Sequence, residues 1–301
     1  MALKQIKGKI VATKKTSQVT KAMEAVSAVK MRKSQERALQ SRAYAYSAAR
    51  MLEHLAHTNE EALRPYTNVR EKGKVLLVLV TSDKGLAGSV NSAVLKQAEK
   101  YIAHKACDSI CIGRKAVEFA KRELSGSVLK EYVNISDDVT LGDVTEISEK
   151  ILELFKTGEY KEIHINYQNF VSTFEQKPQS QQLLPLSPDA LHQMVAGIRP
   201  EHGLHAKAED YMKNTGDYTY EPSAEEVLKI LIPQLVSIMI FHALIESKAC
   251  EHSARMVAMK NATDKAKDMI KSLTIGYNKE RQAVITAEVS EITGGIEALK
   301  E

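Results

Sequence analysis

Along the last quarter of the chain, apolar residues recur in steps of three and four. The series is Leu228, Leu231, Leu235, Ile238, His242, Ile245, Ala249, His252, Met256, Met259, Thr263, Ala266, Ile270, Leu273 and Tyr277. That spacing is the seam of a left-handed coiled coil on one long helix. Pro222 marks its start, Ser223 is placed to cap it, and Glu225 and Glu226 lie near the positive end of its dipole. The helix is predicted to run to about Ile292, with room for an early kink at Pro233. The other end of the chain matches it. From Lys9 to Arg64 there is neither Gly nor Pro, so one helix is predicted from Leu3 to about Leu55, roughly 80 Å long. Its ends keep the same spacing, through Leu3, Ile6 and Ile10 and through Ala38, Ala45, Ala48, Leu52 and Leu55. Its middle shifts the apolar stripe to Val19, Ala22, Val26 and Val29, which predicts that the partner contact rotates there.

Between the helices the period changes. Val75–Val80 is a buried strand, followed by a turn at Ser82–Gly85 and a helix from about Val90 to His104. A strand at Ile110–Ile112, a helix at about Lys115–Leu124, a helix near Val144–Phe155 and a strand at Ile163–Tyr167 complete the set. Alternating strands and helices predict a doubly wound, Rossmann-like α/β domain with a mainly parallel sheet. The stretch from Pro185 to Pro222 has several Pro and Gly and weak periodicity, and reads as an irregular excursion. The chain therefore divides into an N-terminal helix (1–64), an α/β domain with the excursion near 185–221 (65–221), and a C-terminal helix (222–301). One helix enters the α/β domain and the other leaves it, so if they pair they form an antiparallel two-helix coiled coil, a rod on a globular foot.

Composition supports this picture. Of 301 residues, 27% are charged and 5% aromatic, with no Trp, which suits long helices better than a compact enzyme core. No apolar run approaches the roughly 20 residues that cross a bilayer, since Ile230–Ile245 is interrupted by Pro233, Gln234 and His242, and a soluble protein is expected. Met1–Ile10 lacks the apolar run and cleavage site of a secretory signal. Cys107, Cys111 and Cys250 form no CxxC, which fits a reduced cytoplasm and small buried side chains.

Candidate chemistry is sparse. Thr81–Gly88 follows a strand and precedes a helix, where phosphate loops lie, yet it has neither GxGxxG nor GxxxxGK[ST]. The alternative to a nucleotide site is a plain strand-to-helix turn. His192, His202 and His205 cluster in the excursion without an i, i+4 pair, and His242 and His252 on the seam are expected to set register. No catalytic, cofactor or metal residues are assigned. Charge says more: the first helix carries Lys4, Lys7, Lys9, Lys14, Lys15, Lys21, Lys30, Arg32, Lys33, Arg37 and Arg42 against Glu24 and Glu36. A basic rod seeks an acidic partner. With no aromatic platform among these charges, an acidic protein loop fits better than nucleic acid.

Four blocks resemble the γ subunits of F-type ATP synthases. They are Thr16–Lys33 (TSQVTKAMEAVSAVKMRK), Thr81–Gly88 (TSDKGLAG), Ala254–Asp264 (ARMVAMKNATD) and Tyr277–Glu288 (YNKERQAVITAE). The resemblance spans both helices and the α/β domain, in order. It implies a non-catalytic, cofactor-free subunit, the central rotor stalk of a bacterial-type synthase, which transmits torque between the membrane c ring and the catalytic hexamer of α and β subunits during proton-coupled ATP synthesis. Its implied partners are the α, β and ε subunits, with δ as a further candidate, and the c ring. Its implied place is peripheral, on the cytoplasmic side of the bacterial membrane. Lys21, Met23, Lys30, Arg32, Lys33, Arg281, Gln282 and Thr286 match positions that meet β subunits. Arg42, Tyr44, Tyr218, Tyr220 and Glu221 match positions near the c ring and ε. The excursion around Ala190–Ala208 is longer than in the simplest bacterial members, so no role is carried over to it, and the paired regulatory cysteines of chloroplast members are missing. The competing reading is a nucleotide-binding α/β enzyme dimerised through its long helices.

Overall fold

A computed structural model describes residues 3–56, 65–102, 106–186, 221 and 223–298, with side chains in the first helix described as far as Arg37. The elements in chain order are α1 (Leu3–Ala56), β1 (Lys74–Val80), α2 (Val90–Ile102), β2 (Cys107–Ile112), α3 (Arg114–Glu123), β3 (Val128–Tyr132), α4 (Leu141–Lys156), β4 (Tyr160–Phe170), β5 (Gln176–Leu184) and α5 (Ala224–Ala298). Two compact units result, one built from residues 1–27 and 255–301, the other from residues 28–254.

The second unit is a five-stranded sheet in the order β3-β2-β1-β4-β5. β1 runs parallel to β2 and β4, and β2 parallel to β3, while β5 returns antiparallel along β4. After Lys74, β1 is apolar without a break from Val75 to Val80 because both of its faces are covered there. Leu76, Val78 and Val80 pack in one core with α4 and the first half of α5, including Ile147, Ile151, Leu235 and Met239. Val75, Leu77 and Leu79 pack in a second core with Ala98 of α2 and Ala116, Phe119 and Ala120 of α3. Helices thus cover both faces, the doubly wound arrangement that the alternating pattern predicts.

Local signals set the element ends. Thr140 and Asp143 form a reciprocal capping box at α4, with the Thr140 amide donating to Asp143 at 2.8 Å and the Asp143 amide to Thr140 at 3.3 Å. At α5 the Glu226 amide donates to the Ser223 hydroxyl at 3.2 Å, as the sequence predicts. Gly113 turns β2 into α3 at φ 92°, where a Cβ would collide with the Thr81 carbonyl.

Two strands go beyond the sequence reading. β3 is a five-residue edge strand, and β5 carries the polar run Gln176–Gln182 with Pro178 inside it. Neither has the apolar alternation that marks a strand, and Pro is tolerated at a sheet edge. The first half of α5 also differs from expectation. Ile232, Val236, Met239, Ile240, Ala243 and Leu244 are buried along with the predicted seam positions, because this stretch is a core helix against the sheet and not one strand of a coiled coil. α5 does contain a window apolar enough to cross a membrane by length and composition, at mean hydropathy 2.0, but 61% of that window is buried inside the fold. The three cysteines are free and buried in this unit, and burial raises all three thiols, Cys111 to about 11.

In the first unit α1 and the last half of α5 pair antiparallel. Thr20 Oγ1 lies 2.7 Å from Thr263 Oγ1, and Thr13 Oγ1 lies 4.0 Å from the Met269 sulfur, which together fix the register. On α5 the predicted positions Met259, Thr263, Ala266, Ile270, Leu273 and Tyr277 are covered. On α1 the covered positions up to Ser27 are Leu3, Ile6, Ile10, Thr13, Ser17, Thr20, Met23, Glu24 and Ser27. The predicted rotation of the stripe is therefore corrected: Val19, Val26 and Val29 are 59, 56 and 69% exposed. The heptad runs straight through small hydroxyl residues, whose size allows close approach and whose polar atoms are satisfied locally, as when Thr263 also donates to the Met259 carbonyl at 2.8 Å.

Candidate functional site

The basic helix, the turn after β1 and the end of α5 carry the residues singled out above. The turn is structural. The Thr81 hydroxyl accepts from the Ala116 amide at 2.8 Å, capping α3, and the Asn91 side chain accepts the Ser82 amide at 3.0 Å while donating to the Ser82 hydroxyl at 2.7 Å. Asp83 accepts from the Arg114 amide at 3.1 Å and the Asn134 amide at 3.0 Å. A cleft lined by Ser82, Asp83, Asn91, Gln168 and Lys248 opens beside this turn, at the point where strand order reverses. Asn91 and Asp83 hold the turn and the α3 amide, Gln168 donates to the Val90 carbonyl at 2.7 Å and Lys248 to the Ile135 carbonyl at 3.0 Å, and the turn lacks the glycine spacing of a phosphate loop.

The Asn134 that Asp83 holds has φ 59°, and it begins a corner between β3 and α4 that ends in Asp137 and Asp138. This acidic pair escaped the sequence reading, because only the fold brings it to the cations of α1. Lys30 Nζ lies 2.6 Å from Asp137 Oδ2, Lys33 Nζ lies 2.8 and 3.0 Å from the two Asp138 oxygens, and Arg37 Nη1 lies 2.8 Å from Asp138 Oδ1. From α5, His252 Nε2 approaches Asp137 Oδ1 at 3.1 Å and Lys248 Nζ at 3.5 Å. The His252 hydrogen bond, then that of Lys30, holds the Asp137 carboxyl far below the usual carboxylate range. Lys33 and then Arg37 lower Asp138 in the same way. His252, expected to fix a coiled-coil register, serves this cluster instead, while His242 lies buried 3.7 Å from Glu246.

The other predicted contact residues are spread over two surfaces. Lys21 and Arg32 are exposed on α1, and Met23 is half-buried. Arg281, Gln282 and Thr286 are exposed on α5, where the Thr286 hydroxyl donates to the Gln282 carbonyl at 2.9 Å. By the register above, Leu3 stands opposite Glu280, and every residue from Arg281 to Ile296 is exposed. Arg42 and Tyr44 lie in α1 with side chains outside the description, Tyr218 and Tyr220 lie outside the described residues, and Glu221 is exposed. His192, His202 and His205 also lie outside them.

A chain whose ends pair as long helices, whose middle is a doubly wound sheet and whose phosphate-loop position is used for capping belongs to the class of helical stalk subunits. A family model described as ATP synthase matches residues 2–299. The ATP synthase gamma chain of Heliobacterium modesticaldum is 37% identical over 298 residues, covering 99% of both chains. That of Pelotomaculum thermopropionicum is 38% identical over 301 residues, again covering 99% of each. The fold is similar to a chain of the Tetrahymena thermophila mitochondrial ATP synthase central stalk and c-ring structure, with TM-score 0.60 and 23% identity, over 81% of this chain and 99% of that one. The chain belongs to the ATP synthase γ chain family. It is a non-catalytic subunit of that membrane-associated complex, and the reading as a nucleotide-binding enzyme is not favoured.

Proposed function

We propose that the chain works as the rotor stalk of its synthase by mechanical coupling. Paired helices turn inside the hexamer of α and β subunits, and the α/β unit meets the c ring and ε on the cytoplasmic side of the bacterial membrane. A partner shifts an equilibrium only by its differential affinity for the states, so an asymmetric stalk biases three β subunits toward three conformations at once. No residue needs to touch nucleotide. The observation that carries this reading is the surface of the helix pair. Its seam is closed by hydroxyls, while Val19 and Val26 and the terminal stretch with Ile285, Val289, Ile292 and Ile296 lie at least 47% exposed. Apolar residues presented outward beside Lys21, Arg281 and Gln282 suit a surrounding protein sleeve with acidic loops. Met23, Lys30, Arg32, Lys33 and Thr286 are proposed to meet β subunits as well, and Arg42, Tyr44, Tyr218, Tyr220 and Glu221 to lie toward the c ring and ε.

The test is a reconstituted synthase carrying the chain cut after Lys271. Proton-driven ATP synthesis is expected to fall while the α/β unit keeps its own melting transition. Normal coupled synthesis would count against the proposal. Equilibrium dialysis with ATP and NAD is expected to show no tight binding to the isolated chain.

A further inference from the structure

The acidic corner is not a loose surface loop. Asp83 anchors its first residue through the Asn134 amide, Arg114 donates to the Asn134 side chain at 2.8 Å, and Lys248 donates to the Ile135 carbonyl at 3.0 Å. The two carboxylates that follow are presented to Lys30, Lys33 and Arg37, which lie on one face of α1 by their spacing of three and four. Two of these cations are residues that the family resemblance assigns to acidic loops of the β subunits.

We propose that the Asp137–Asp138 corner is a built-in competitor for those loops, holding Lys30 and Lys33 in the free chain and yielding them by ion-pair exchange when a hexamer loop comes past. This rests on the reading that the basic face of α1 meets acidic β loops. Exposure makes the exchange feasible: the Lys33 and Asp138 side chains are 58 and 53% exposed, so water screens the pair and little is lost in swapping one carboxylate for another. The two acids have different duties. Asp137 keeps His252 and Lys248 when Lys30 leaves, so the corner stays anchored, whereas the ion pairs of Asp138 are made to α1. Exchange also limits grip. A hexamer loop gains only the difference between two similar ion pairs, which suits a stalk that must release each loop in turn.

Asp138→Asn, Lys33→Gln and the double variant, each as the full chain, are titrated onto the isolated hexamer at low and at physiological salt. Circular dichroism melts confirm folding, and Asp138→Ser serves in place of Asp138→Asn if Asn disturbs the corner. Asp138→Asn is expected to tighten binding about two- to fivefold at low salt, the range a screened ion pair supplies, and adding Lys33→Gln is expected to erase the gain. Unchanged affinity in Asp138→Asn overturns the competition. So does a gain that survives in the double variant, which would be a mere net-charge effect. If Lys33→Gln alone weakens binding while Asp138→Asn does nothing, only the competition falls. If Lys33→Gln also does nothing, the contact reading falls with it.

Discussion

Asp137 draws Lys30, Lys248 and His252 to one carboxylate, and its environment makes a definite statement about acid. Its folded carboxyl is held below its ordinary value by His252 and Lys30, and Asp138 is lowered by Lys33 and Arg37. A depressed carboxyl contributes its stability in full above the unfolded value near 4, begins to lose it as pH drops past that value, and has lost it below the folded one. Unfolding free energy is therefore expected to decline as acid is added below about pH 4, and chemical denaturation at a series of pH values measures the slope. Asp137→Asn is expected to flatten that slope and to lower stability at neutral pH by about 1 kcal/mol, a modest figure because the group is partly solvated. An unchanged slope in the variant would assign the acid response elsewhere.

The long elements were legible because helix signals are local. Absence of Gly and Pro, a cap at Ser223 and a three-four repeat gave α1 within a residue or two of Leu3–Ala56, and the start of α5. What the pattern does not encode is which stripe faces inside. Val19, Val26 and Val29 look like a core, yet the pair closes on Thr13, Ser17, Thr20 and Ser27. β3 and β5 were invisible for the converse reason: neighbours, not their own composition, hold them in the sheet. Two substitutions test this level. Thr20→Val removes the hydrogen bond between the helices, though Thr263 keeps the Met259 carbonyl, and is expected to cost about 1 kcal/mol, with Thr263→Val in the same chain costing less than the sum of the two. Gly113→Ala pushes a methyl group into the Thr81 carbonyl at a positive φ, and a loss of roughly 2–4 kcal/mol is expected in urea unfolding.

Taken whole, the chain separates a well-filled sheet unit from helical surfaces that display valine, isoleucine and lysine, which is the distribution expected when folding and partnership are assigned to different stretches. The truncation after Lys271 probes that division directly. The cysteines add a practical consequence. Cys107, Cys111 and Cys250 are at most 3% exposed, and burial keeps their thiols protonated at neutral pH. A single cysteine introduced at Gln282 or Val289 would thus be the reactive thiol of the native chain. A fluorophore or bead tether could be attached there without first stripping the natural sulfhydryls, so angular motion could be followed in a subunit that is otherwise unaltered.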